Sequence, residues 1–183
     1  MSKIAVIVGS IRRDSINRKL AEALAKLAGP KLEFTHVQID DLPLFSQDLE
    51  PNPPAAVTRI KGQIEAADGV LIVTPEYNRS IPGVLKNAID WASRPYGKNS
   101  FSGKPTAGIG TSGGAIGTAV AQQHLRSILA YLNVTLMGQP EGYIQFKQGL
   151  VDAQHNVTDE SVRKFLQSYV DAFTAWVDRY ATK

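Results

Sequence analysis

The sequence has no cysteine among its 183 residues, which removes thiolate nucleophiles, disulfides and thiolate metal sites. It has only three histidines, His36, His124 and His155. None pairs with another at metal-ligand spacing, so no metal site is expected and each histidine reads as a surface or satisfied helix residue. No apolar run approaches the roughly 20 residues that span a bilayer, and no signal-peptide layout precedes the first strand-like segment. A cytoplasmic protein without membrane association is the expectation. The net charge of +3 is too small, and the basic residues too dispersed, to point to nucleic acid.

What is present describes an ordinary globule, expected as a single domain over residues 1–183, with 43% hydrophobic and 20% charged residues. "IAVIVG" (Ile4 to Gly9) is nearly continuous and β-branched, as a strand buried on both faces would be. Ile16, Leu20, Ala23, Leu24 and Leu27 then recur at helical spacing until Gly29-Pro30. "KLEFTHVQI" predicts a second strand, and the proline-broken stretch from Leu42 to Pro54 no regular structure. "AAVTRIKGQIEAA" predicts a helix, "GVLIVTP" a third strand and "VLKNAIDWASR" a helix with Pro82 near its start. "KPTAGIGTSGG" predicts a fourth strand, "AIGTAVAQQHLRSILAYL" a helix and "VTLMG" a short fifth strand. A last helix spans about Asp159 to Ala181.

Five strands alternating with five helices predict an α/β fold, a three-layer α/β/α sandwich around a parallel sheet in flavodoxin-like order 2-1-3-4-5. In that order a ligand binds beyond the carboxyl ends of the strands, at the switch point. Three loops meet there: Gly9 to Asn17, Thr74 to Pro82, and Thr111 to Gly117.

The first loop has neither G-x-G-x-x-G nor G-K-[ST], so it is neither a dinucleotide fingerprint nor a Walker loop. Ser10, Ser15 and Asn17 offer side-chain donors and Arg12 a fixed cation beside a helix N-terminus, which suits a phosphate without a metal. Alternatively Ser15 only caps the helix, and Arg12 and Arg13 face water. No strand ends in a magnesium-binding or phosphoacceptor aspartate, which excludes NTPase and receiver chemistry. The absent cysteine excludes the thiol phosphatases. "PEYN" (Pro75, Glu76, Tyr77, Asn78) sets one flat aromatic and several amides where a planar heterocycle would lie. Glu76 reads either as a general base or as a loop carboxylate whose backbone matters more than its charge. Ser112, Gly113 and Gly114 let the main chain approach a flat ligand, or simply turn from strand to helix.

In combination, G-S-x-R-x-x-S-x-N after the first strand and T-P-E-Y-N-x-S-x-P-G-x-L-K-N-A-I-D-W after the third resemble the NADPH-dependent FMN reductase family, chromate and quinone reductase branch. The resemblance covers about Lys3 to Tyr180. It implies a flavodoxin-like fold with bound FMN and NADPH or NADH as hydride donor. Quinones, chromate, azo compounds or flavins would be acceptors, as a homodimer or homotetramer. Ser10, Arg12, Ser15 and Asn17, with the amide of Ile16, would hold the phosphate. Pro75, Glu76, Tyr77, Asn78, Ser112, Gly113 and Gly114 would line the isoalloxazine, with Ser80 beside them; the resemblance assigns Arg79 no flavin role, and its charge alone suggests a contact with the NADPH phosphates. Hydride transfer would run through FMN N5 in a ping-pong cycle, so no side chain is assigned as catalytic. The Leu42 to Pro54 segment would wall the cleft, and Trp91, Tyr96 and Tyr131, at the ends of helices with apolar residues beyond a single stripe, would lie at the subunit contact or else only pack the core. The rival readings are a flavodoxin-type electron carrier, disfavoured by the positive charge, and a non-catalytic flavin-binding module.

Overall fold

Residues 1–181 are described by a computed structural model. Its elements are β1 (Ser2–Val8), α1 (Ile16–Ala28), β2 (Leu32–His36), α2 (Ala55–Glu65), β3 (Gly69–Val73) and α3 (Gly83–Ala92). Then come β4 (Pro105–Ser112), α4 (Ala119–Tyr131), β5 (Thr135–Leu136), β6 (Gly142–Gln145) and α5 (Glu160–Tyr180). The strands are parallel in the order β2-β1-β3-β4-β5, with β6 also on β4. This is the flavodoxin-like order the alternation predicts.

Continuous apolar strands arise because each strand feeds two cores. From β1, Ile4, Val6 and Val8 pack under α1 and α5, while Ala5 and Ile7 pack under α2, α3 and α4. The expected stripe of α5 is buried at Leu166, Tyr169, Val170, Phe173 and Val177. The Tyr169 hydroxyl donates to the Gly108 carbonyl at 2.9 Å, and full burial pushes its pKa up.

Three features depart from the expectation. The fifth strand is split: β5 pairs with Pro105 and Thr106, and β6 with Ile109 to Ser112. The intervening Gly138-Gln139-Pro140 leaves the ladder, where proline has no N–H to give. Gly142 then re-enters hard against Ile109, where any Cβ would collide. Second, α4 begins at Ala119 rather than Ala115, because Gly117 sits at φ 62 and Thr118 is its non-helical N-cap. Third, Trp91 is a core residue, 1% exposed, and not a contact surface.

Trp91 and Asn87 account for the Leu42 to Pro54 segment, which is irregular apart from one 3₁₀ turn at Gln47–Leu49. Trp91 Nε1 and Asn87 Nδ2 both donate to the Pro43 carbonyl, at 2.8 and 2.9 Å, and Asn87 Oδ1 accepts from Phe45 N at 2.8 Å. Phe45 meets Trp91 edge-on at 5.0 Å, and Arg94 pairs with Glu50 at 2.7 Å. The second half of the long motif therefore fastens a loop to α3.

Candidate functional site

Strand register brings the three loops together. Val8 is level with Val73, and Val73 with Ile109, so the chain leaves β1, β3 and β4 side by side. The ladder extends one residue into each loop, Gly9 N donating to Val73 O at 2.8 Å and Thr74 N to Ile109 O at 2.9 Å. At Gly110 any Cβ would collide with the Thr74 carbonyl and the Thr118 hydroxyl, so the third loop can lie this close only with glycine there.

In the first loop, Ser15 is the N-cap of α1, its Oγ accepting from Arg18 N at 3.2 Å. Its hydroxyl proton remains to be donated elsewhere, so capping and ligand binding are compatible. The N–H groups of Ile16 and Asn17 belong to the first turn, where no intrahelical acceptor exists. Ser10 is 6% exposed, and Arg12 and Arg13 lie open to solvent with no ion pair among the described residues. Asn17 differs from the expectation of a free donor. Its side chain is 1% exposed, its Nδ2 donating to Thr111 O at 2.9 Å and its Oδ1 accepting from Thr111 N at 3.0 Å. Its carboxamide ties the first loop to β4.

In the second loop, Tyr77 and Ser80 exchange both main-chain hydrogen bonds at 3.0 Å around a tight turn with Asn78 at φ 51 and Arg79 at φ 63. Positive φ at both central positions is the signature of a type I′ turn. Tyr77 stays 49% exposed above buried Pro75. The Glu76 carboxylate, 8% exposed, accepts from Ala121 N in the first turn of α4 at 3.0 Å and lies 3.6 Å from the Arg79 guanidinium. One carboxylate oxygen is thus engaged at the helix end, a side-chain role that neither reading of Glu76 includes. Ser80 turns away from the pocket, its Oγ 3.0 Å from His124 Nδ1 on α4.

The third loop closes on itself through Ser112 Oγ, which donates to the Gly117 carbonyl. Gly113 and Gly114 are exposed, and a Cβ on Gly113 would enter open space. The backbone needing left-handed freedom is not theirs but that of Gly117, at φ 62 against the Tyr143 main chain.

A cavity of about 180 Å³ opens between these loops, lined by Ser10, Arg12, Ser15, Ile16, Asn17, Pro75, Glu76, Tyr77, Thr111, Ser112 and Gly113. Asn78, Ser80 and Gly114 lie outside that lining. Thr111, which the sequence places at the start of the third loop without a role, joins the lining, one residue before Ser112 at the end of β4. A larger cavity of about 490 Å³ between β6 and the start of α5 gathers none of the three loops. Each loop also carries one exposed large apolar residue, Ile11, Tyr77 and Ile116. One end of the site thus offers N–H, hydroxyl and guanidinium donors to an anion, and the other a flat, partly apolar floor.

Known proteins agree with that geometry. Residues 2–149 match the model of the NADPH-dependent FMN reductase family. The chain is 57% identical over 175 residues to a 2-hydroxy-1,4-benzoquinone reductase of a Burkholderia species, covering 96% of each chain. It is 48% identical over 175 residues to a quinone reductase of Pseudomonas putida, covering 95% of this chain and 94% of that one. Among solved structures, the flavoenzyme NAD(P)H:(acceptor) oxidoreductase FerB of Paracoccus denitrificans superposes with a TM-score of 0.97 at 50% identity, covering 100% of both chains. The chain therefore belongs to the NADPH-dependent FMN reductase family.

Proposed function

We propose that the protein is an FMN-dependent NAD(P)H oxidoreductase that reduces quinones, and related acceptors such as chromate, azo compounds and free flavins, by two electrons in a ping-pong cycle. The observation that carries this reading is the meeting of an anion-ready helix N-terminus with a glycine-floored, aromatic-edged pocket at the switch point. The printed names of the relatives, quinone reductases and a flavoenzyme with NAD(P)H, support the acceptor and donor classes.

The donor set fits FMN. Ser10, Arg12, Ser15 and the N–H groups of Ile16 and Asn17 would hold its phosphate, where each charge-assisted bond contributes about 1.5–3 kcal/mol. Pro75, Glu76 and Tyr77 on one side and Ser112 and Gly113 on the other would line the ring, mainly through main-chain atoms, with Asn78 and Gly114 next in the same loops but outside the cavity lining. The open space beside Gly113, which any side chain would fill, leaves room for it. Bound FMN supplies reversible hydride chemistry, which these side chains cannot. The protein's task is then to hold the phosphate, fix the plane of the ring and keep one face open. Tyr77 shields one edge, and Arg79, paired with Glu76 at 3.6 Å but 69% exposed at its side chain, would meet the phosphates of the nucleotide donor. Glu76 moves no proton, since its carboxylate is held by α4.

Association into a dimer or a dimer of dimers accompanies this reading. Tyr96 and Tyr131, 87% and 84% exposed near the ends of α3 and α4, are its candidate contacts. A parallel titration with FMN and riboflavin, followed by anaerobic addition of NADPH or NADH and then a quinone, tests the proposal. Tight FMN binding, weak riboflavin binding and turnover are expected. Equal affinity for both flavins would remove the phosphate site, and binding without NAD(P)H oxidation would make the protein a carrier.

A further inference from the structure

We propose that His124 is a positioning residue for the flavin-facing turn, an inference that rests on the FMN reading above. The turn from Tyr77 to Ser80 is fastened to α4 at two points. Glu76 Oε2 accepts from Ala121 N at 3.0 Å, and Ser80 Oγ lies 3.0 Å from His124 Nδ1. Residues 121 and 124 are three apart and therefore share one face of the helix. One pin precedes the turn and the other ends it.

Between the pins the backbone is held in a costly conformation. Asn78 at φ 51 and Arg79 at φ 63 are both non-glycine residues in the left-handed region. Asparagine tolerates that region and arginine does so poorly, and such strain persists only where surrounding contacts over-determine it. The two Tyr77–Ser80 main-chain bonds close the turn but do not fix where it stands relative to the pocket. Its placement comes from the pins. Loss of the Ser80–His124 bond frees the outgoing arm, and Tyr77, which lines the pocket, shifts against the ring. His124 itself is exposed and does not line the pocket, so it acts only through Ser80. In the tautomer with its proton on Nε2, Nδ1 accepts from the Ser80 hydroxyl, and only an acceptor or donor at that ring position completes the pin.

Purified wild type, His124→Ala and His124→Asn test this by FMN titration, the visible absorbance of bound flavin, and thermal melting without flavin. The Asn side chain places its amide near the Nδ1 position and so rebuilds the pin. His124→Ala is expected to lose about tenfold in FMN affinity, equivalent to about 1.4 kcal/mol. It should also shift the flavin absorbance bands while melting like wild type without flavin. His124→Asn is expected to restore both affinity and spectrum. Wild-type affinity and spectrum in His124→Ala would overturn the inference. So would a loss in both variants matched by an equal fall in flavin-free melting, which marks a merely structural residue. Wild type that binds no FMN would instead overturn the functional reading beneath it.

Discussion

Asn17 and Thr111 are joined edge to edge, the asparagine carboxamide giving one hydrogen bond to and taking one from the same residue's main chain, at 2.9 and 3.0 Å. A side chain of α1 thereby plays the part of a missing strand beside the end of β4. Asn17→Ala strands a buried N–H and a buried carbonyl, each costing about 1–3 kcal/mol. The variant is expected to lose about 2–4 kcal/mol in urea denaturation and to bind FMN more weakly, as the first and third loops separate. A stability loss below about 1 kcal/mol would show that water replaces the carboxamide at no real cost.

Arg12 should behave in the opposite way. It is exposed and has no ion pair among the described residues, so Arg12→Ala is expected to change stability by less than about 0.5 kcal/mol. FMN affinity should fall by about 1.5–3 kcal/mol, and riboflavin affinity should not move. Adding Ser15→Ala deepens the affinity loss and also costs about 1 kcal/mol of stability, through the lost cap. Calorimetric titration with both flavins checks it. A double variant with unchanged FMN affinity would place the phosphate elsewhere.

Glu76→Gln keeps an oxygen for Ala121 N and loses the charge both at the start of α4, a cost of about 0.3–1 kcal/mol, and beside the exposed Arg79 guanidinium. Steady-state assays should show most of the turnover retained. Glu76→Leu, with no acceptor, is expected to bind flavin less well and melt earlier. Abolished turnover in Glu76→Gln with flavin still bound would make the carboxylate a proton carrier after all.

His36 makes stability fall on the acid side. Burial lowers its pKa below the ordinary 6.5, with Arg18 acting the same way and Glu22, 3.0 Å away, opposing. Its Nδ1 is buried with no partner among the described residues, so a second ring proton would have nothing to bond. The unfolded chain takes up that proton more readily than the folded one. Stability therefore rises with pH through the window below 6.5 and declines as pH drops back through it. Melting curves between about pH 5 and 8 should show a shallower acid decline in His36→Gln than in wild type. Parallel declines would assign the effect to other groups.

The features legible in the sequence are those where local chemistry and the final fold agree. Ser15 announces the start of α1 and Gly29 its end, and the β-branched runs at Ile4 and Gly69 are buried on both faces as their composition requires. The three loops of the site follow from that alternation alone. The unread parts depend on partners far along the chain. Asn17 looks like a donor because nothing near it reveals Thr111, 94 residues away. Trp91 looks like an interface aromatic because Pro43, 48 residues back, is invisible to helical spacing. The split of the edge strand depends on the close approach of Gly142 to Ile109, and the five residues of "VTLMG" end before Gly142 is reached.

That split edge has a bearing on the molecule's behaviour in a crowded solution. An open parallel sheet ends in two unpaired strands, each a template for another chain. Here one border is cut into pieces of two and four residues by a proline-bearing excursion, too short and too uneven to dock a foreign strand. The other, β2, runs only five residues and puts Glu33 at the surface. The irregularity at Gly138 to Pro140 thus makes this border a poor template for strand addition.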